Sequence, residues 1–212
     1  MRKKIGITIK DTGDLGEVIK NIEKLKSRKI KVGVFSGEKH EESEIDMADL
    51  ARIHEYGMTI NPKNGKYLAI PSHPKAKGKS PRDFNDLFFI ETEKGNGLLA
   101  KEKGKDSFDV YFVLVKSVTI PERSFLRSGY DENIDKIYKK IKDMMPDVIA
   151  NEIDPEFFMD SIGEEFAGLI RKKLVSIKSP PKSKVTLAAS PGKTNPLQDT
   201  GQLVESIRHE IE

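Results

Sequence analysis

No cysteine occurs among the 212 residues. Disulfide frameworks, thiolate zinc sites, iron–sulfur ligation and cysteine nucleophiles are therefore excluded together, and the composition suits a reducing compartment. The chain also lacks any apolar run of the roughly 18 residues that a spanning helix needs. Its start, MRKKIGITIKDTGD, is basic but has no apolar stretch of the secretory kind. The expectation is a soluble protein made inside the cell, with no membrane partner. A chain this long can bury a core without disulfides or metal, and one domain carrying an insertion is the expected organisation.

Charge is nearly balanced. Thirty-seven basic and 34 acidic residues leave a formal net charge of +3, too little to mark the whole chain as a nucleic-acid binder. The distribution is less even. No acid occurs between Glu55 and Asp83, where Lys63, Lys66, Lys75, Lys77, Lys79 and Arg82 accumulate. None occurs between Glu165 and Asp199, where Arg171, Lys172, Lys173, Lys178, Lys182, Lys184 and Lys193 accumulate. Acids gather instead in 37–49 and 131–165. Segregated charge suits a surface that meets either copies of itself or a polyanion in fixed orientation; chance clustering on a solvated surface is the plainer alternative.

Only four histidines are present, and one of them raises the question of a metal site. In ARIHEYG, residues 51–57, His54 and Glu55 are adjacent on what reads as the last turn of a helix ending at Gly57, a left-handed cap. Consecutive helical residues diverge by about 100° and cannot converge on one ion as an i, i+4 pair does. A zinc-protease helix would place its second histidine where Met58 stands. His54 is better read as a structural histidine at a helix end, where the dipole favours a cation. No paired carboxylates or Ser-His-Asp arrangement is legible elsewhere, so no catalytic residue, metal ligand or cofactor is expected.

Along the chain, 5–10 alternates as a strand. A helical stripe then runs through Leu15, Val18, Ile19, Ile22 and Leu25, with Asp14 and Glu17 spaced as a capping box. Residues 29–35 alternate again, and these first two strands are expected to share a sheet. Residues 61–117 are first rich in Pro, Gly and Lys, and then give three strand candidates, DLFFIET, GLLAKE and DVYFVLVKS, with EKGNG as a hairpin turn rather than a phosphate loop. The chain next enters a long helix after Pro121, with Pro146 marking a break. Asp154 and Pro155 open a further helix through 177. Residues 178–198 hold four prolines and read as a long extended loop. Asp199 and Gln202 stand at capping spacing for a short helix, and SIRHEIE alternates as a last strand returning to the opening sheet. The fold class is α+β: an antiparallel or mixed sheet packed by long helices, with a discontinuous core (1–60 and 117–212), a β-rich insertion (61–116) and the Pro-rich loop 178–198.

Three stretches in order, IHEYG, IPERSFLR and LQDTGQLVESI, resemble the tail-completion or neck proteins of long-tailed bacteriophages, the Mu-type virion morphogenesis family. That family carries a helix ending in His-Glu-aromatic-Gly, an Ile-Pro-x-Arg-Pro-Phe lead into a long helix and a late Leu-x-Asp-Thr-Gly-x-Leu-x-x-Ser-Ile. KYLAIP, SPRDFNDLFFI and YFVLVKSVTIP look like its β insertion. Ser124 stands where the family usually has proline. The resemblance spans essentially the whole chain and implies a non-catalytic virion protein forming a homo-oligomeric ring at the head–tail junction. Its partners would be the head connector or adaptor, the tail terminator or tube, and genomic DNA passing through the lumen. The motif residues carried over are His54, Glu55, Tyr56, Gly57, Pro121, Arg123, Phe125, Asp199, Thr200 and Gly201. Glu55 and Arg123 are expected to pair or share backbone contacts where their helices meet, and Asp199, Thr200 and Gly201 to form a cap and turn. The acidic 38–49 region and the basic segments 61–82 and 171–193 are candidate ring faces. A nucleic-acid binding module acting through those basic segments is the alternative.

Overall fold

A computed structural model describes residues 15–212 except 42, 94 and 106. The strand expected at 5–10 and the capping role of Asp14 lie outside the described residues. Fourteen of the described segments are regular helices or strands: α1 Leu15–Ser27, β1 Ile30–Val34, α2 Met47–Tyr56, β2 Met58–Ile60, β3 Leu68–Pro71, β4 Phe88–Glu91, β5 Gly97–Gly104, β6 Ser107–Val115, β7 Val118–Ile120, α3 Leu126–Ile149, α4 Pro155–Ser176, α5 Lys184–Ala189, α6 Gln202–Glu205 and β8 Ile207–Ile211. Antiparallel strand pairs packed with helices make the fold α+β.

Helices α3 and α4 lie against each other and form the floor of the core. Helix α4 begins as its sequence dictates. Asp154 accepts hydrogen bonds from the backbone N–H of Glu156 (2.8 Å) and Phe157 (3.1 Å), and Pro155 fills the first helical position. Its inward stripe buries Phe158, Met159, Ile162, Ala167, Ile170 and Leu174, each larger side chain contributing about 1.5–3 kcal/mol. Strand β8 lies on this helix and pairs antiparallel with β1, from Ile30 opposite Ile211 to Val34 opposite Ile207. The last strand thus returns to the first described one, as expected. Close approach is possible because α4 has glycine at 163: a Cβ there would sit 2.5 Å from the His209 ring.

Pro146 does not break α3. It lies inside the helix, which runs on to Ile149, and its carbonyl accepts from Ala150 N–H at 2.8 Å. Proline forfeits one hydrogen bond near the end of a long helix, and the fully buried Val148 beyond it keeps the last turn in place.

The three strand candidates of 61–117 appear as β4, β5 and β6, and β3 joins them in the order β3-β6-β5-β4, all antiparallel. The hairpin between β4 and β5 closes through Thr92 N–H to the Asn96 carbonyl and Gly95 N–H to the Thr92 carbonyl, both 2.9 Å. Where the chain leaves and rejoins the helical layer, β2 and β7 form a three-residue ribbon, with the Thr59 and Thr119 hydroxyls 3.1 Å apart.

Residues 178–198 are not one extended loop. Ser183 caps α5 by accepting from Thr186 N–H at 3.1 Å, Ala189 is buried, and the Asn195 side chain accepts from the N–H groups of Leu197 and Gln198. Leu197 then enters the main core cluster. Local caps hold the segment, and these do not need the apolar periodicity that the sequence lacks here. Among the described residues no helix is long and apolar enough to cross a membrane.

Candidate functional site

The three motifs, far apart in sequence, meet in one place. Phe125 from the second and Leu197, Leu203 and Ile207 from the third belong to a single buried cluster with Met47, Leu174 and Ala51, which stands two residues ahead of the first.

Glu55 lies at the centre of the polar part. It is 2% exposed, and its carboxylate meets the start of α3. One oxygen accepts from the backbone N–H of Phe125 (2.8 Å) and Leu126 (2.9 Å). The other accepts from the Ser124 hydroxyl (2.7 Å) and from the N–H and side-chain Nε of Arg127 (both 3.0 Å). Helix α3 has no side-chain cap of its own, because Phe125 occupies that position. A carboxylate borrowed from α2 satisfies the orphan N–H groups and opposes the positive end of the dipole. Burial alone would raise the Glu55 carboxyl; the hydrogen bonds from Ser124 and from the Leu126, Arg127 and Phe125 backbones outweigh it and hold the group below its usual range. Ser124 is thus part of the cap.

Glu55 and Arg123 do not form an ion pair. Arg127 takes that role, and its guanidinium also lies 4.5 Å from the ring centre of exposed Tyr56 and bonds Glu122 at 2.6 Å. Arg123 is 7% exposed and turns the other way, donating from Nε to the Pro180 carbonyl (2.6 Å) and from Nη2 to the Pro181 carbonyl (3.0 Å). The backbone contact that Arg123 makes with α2 is to the residue before Glu55: its N–H donates to the His54 carbonyl at 2.8 Å. Two carbonyls can hold a guanidinium by geometry alone because its five donors are fixed in a plane.

Gly57 is required by this docking. Its φ is +71°, and a Cβ would stand 2.8 Å from the Glu122 nitrogen, 2.9 Å from the Ile120 oxygen and 3.3 Å from the Pro121 carbonyl carbon. Its ψ of 161° differs from the left-handed helical cap expected, because the chain leaves α2 directly into extended β2. His54 is not a cation. Burial first, and then the Arg123 charge, push its pKa down to about 4, and its Nδ1 has no hydrogen-bond partner among the described residues. Desolvation outweighs the helix dipole here. Together with His40, Leu50, Leu203 and residues 196–201, His54 lines a cavity of about 150 Å³.

Asp199 does not cap α6. Its carboxylate meets Lys77 at 2.5 Å, Lys193 at 3.3 Å and Lys182 at 4.0 Å. Burial would raise its pKa, and the lysines, Lys77 foremost, bring it below the usual value. α6 opens instead at Gly201, whose φ of +97° lies in the left-handed region, while the Thr200 hydroxyl accepts from Gln202 N–H at 3.4 Å. The Gln202 side chain, the other half of the expected cap, accepts from Glu41 N–H at 3.2 Å.

The two acid-free basic segments therefore converge at one carboxylate, through Lys77, Lys182 and Lys193. Their other members scatter. Lys63, Lys66, Lys75, Lys79, Arg82, Lys172, Lys178 and Lys184 are exposed, with Lys66 and Lys79 set over Tyr67 and Phe84. Arg171 donates to the Ile207 carbonyl and to Glu164, and Lys173 pairs with Glu132. Sequence reasoning missed Arg127, whose only signal is its place in the first turn of a helix that lacks a cap, and the Lys77–Asp199 contact, which joins residues more than a hundred positions apart.

No group of three or more His, Asp or Glu side chains able to hold a metal ion occurs among the described residues. The arrangement can brace two helices, a turn and a strand against one another. Comparison with family models, with curated proteins and with solved structures found no match.

Proposed function

We propose that this chain is a structural, non-catalytic virion protein of the phage neck or tail-completion type. In this reading it is assembled in the bacterial cytoplasm and incorporated as a homo-oligomeric ring at the head–tail junction, between the head connector or adaptor and the tail terminator or tube, with genomic DNA crossing its lumen. One observation carries the reading: the three ordered motifs of the resemblance are consumed in a single bracing site, with Glu55 spent on capping α3 and Arg123 on the Pro180 and Pro181 carbonyls. Motifs whose polar members are used up in tertiary contacts suit a part that keeps its shape under load. The apolar side chains left on the surface of α1 and α3, Leu15, Ile19, Tyr138 and Ile149 among them, suit a subunit that meets neighbours.

Electron microscopy of lysate from a producer strain lacking the gene tests the proposal. Separate DNA-filled heads and separate tails are expected, and normal complete particles would overturn it.

A nucleic-acid binding module is a second reading, favoured by the convergence of Lys77, Lys182 and Lys193. It requires duplex affinity that falls steeply with salt. Salt-insensitive or undetectable binding of duplex DNA by the purified chain would remove it.

A further inference from the structure

An asparagine followed by glycine carries a reaction of its own. The glycine nitrogen can attack the asparagine side-chain carbonyl, because no Cβ on the second residue stands in the way. Two such pairs occur in the chain, Asn64–Gly65 and Asn96–Gly97. Asn61 and Asn195 precede prolines, which have no N–H to give up.

The fold separates the two pairs. Asn64 and Gly65 are both exposed, in the connection between β2 and β3, and so are Lys63 and Lys66 on either side. Gly65 has a φ of +109°, and apart from its chain neighbours no described atom lies within 4 Å of the point a Cβ would take. Asn96, in contrast, is held. Its carbonyl accepts from the N–H and the hydroxyl of Thr92 at 2.9 and 2.8 Å, and its own N–H donates back to that hydroxyl at 3.2 Å. Gly97 is buried in β5 opposite Glu91 on one side and Leu114 on the other, and the Phe89 ring occupies the space a Cβ would take. Bringing the Gly97 nitrogen onto the Asn96 side chain means turning that peptide out of the sheet.

We propose that Asn64–Gly65 is a site of spontaneous deamidation and that the sheet protects Asn96–Gly97 from the same reaction. The Gly65 nitrogen bonds to the Asn64 Cγ, the Cγ–Nδ2 bond breaks, and ammonia leaves with the proton of the Gly65 N–H, closing a five-membered imide. Water then opens the ring at either carbonyl and leaves aspartate or isoaspartate. Either product places a carboxylate in the stretch between Glu55 and Asp83, which otherwise holds no acid. The charge of that basic segment therefore falls as the protein ages, and with it the attraction the segment exerts on an acidic surface or a polyanion. The reaction does not depend on the function proposed above.

Ageing the full chain at mildly alkaline pH, folded and in guanidinium chloride, and mapping it with a glutamate-specific protease tests the proposal. No glutamate lies between Glu55 and Glu91, and Glu93 and Glu102 bracket Asn96, so the two sites fall on separate peptides. In the folded chain Asn64, identified by fragmentation, is expected to show the amide-to-acid mass change at least about tenfold faster than Asn96, and in the denaturant the two should convert at similar rates. Gly65→Ala should slow the Asn64 conversion in both states, because its Cβ crowds the attack. An Asn96 rate that matches or exceeds the Asn64 rate in the folded chain would overturn the proposal. So would an Asn64 rate in the folded chain tenfold or more below its rate in denaturant, which would show the fold protecting that site as well.

Discussion

Glu55 shows how a conspicuous His-Glu dipeptide can carry structure instead of chemistry. Its carboxylate ties α2 to α3, and removing it leaves buried N–H groups and part of the Arg127 charge uncompensated. Glu55→Ala should cost about 3–5 kcal/mol in urea unfolding. Arg127→Ala should cost only about 1 kcal/mol, because its side chain is 49% exposed, and Lys139→Ala on the exposed side of α3 should stay within about 0.5 kcal/mol. Equal losses for Glu55→Ala and Lys139→Ala would refute the borrowed cap. His54 adds a pH signature. Its pKa falls from 6.5 to about 4 on folding, so below 6.5 the unfolded chain binds a proton that the folded chain refuses. Stability therefore falls as the pH drops from 6.5 toward 4, by up to about 3 kcal/mol. Glu55, whose carboxyl is depressed in the fold, adds its own loss only at lower pH, as that group becomes protonated. Denaturation midpoints at pH 7.5 and pH 5 for the parent and a His54→Gln variant check the first effect, and the variant should lose most of the difference.

At the scale of elements, the long pieces were legible, as were the short β4 and α6, while other short pieces were not. The start of α4 was written in Asp154 and Pro155, and the alternation of β1 and β8 was plain. Strands β2, β3 and β7 are only three or four residues long and exist because partners more than forty residues away complete them, so no local window contains their cause. The same holds at the candidate site. His54, Glu55 and Gly57 could be picked out, but Glu55 found Arg127 instead of Arg123, because the turn of α3 and the carbonyls after Ser179 decide which guanidinium faces which acceptor. Glycines separate the two kinds of constraint. Gly168→Ala in α4 meets nothing within 4 Å and should stabilise by about 0.5–1 kcal/mol through helix propensity. Gly163→Ala, driven into the His209 ring, should lower the melting temperature. Gly57→Ala, strained in both φ and contacts, should cost about 2 kcal/mol or more and should release the β2–β7 ribbon first, read as faster amide exchange at Thr59 and Thr119.

Across the whole molecule, the four-stranded sheet meets the helical layer through the β2–β7 ribbon, the packing of α5 against β3 and the Lys77–Asp199 contact. Asp199 is about one-third exposed, so Asp199→Asn should cost only about 1 kcal/mol globally and less at high salt. Its larger effect should be local. Limited proteolysis should cut between Pro71 and Phe88 faster in the variant, and unchanged cleavage there would show that the ribbon and the packing of α5 on β3 hold the sheet without the ion pair. The ribbon has a topological meaning too. Because Ile60 and Val118 face each other across it, everything between them departs and returns through a single doorway one strand-spacing wide. Such a doorway makes the intervening sheet exchangeable cargo: a short reverse turn joining Ile60 to Val118 should leave a miniature chain whose helices, Glu55 cap and β1–β8 pair still assemble.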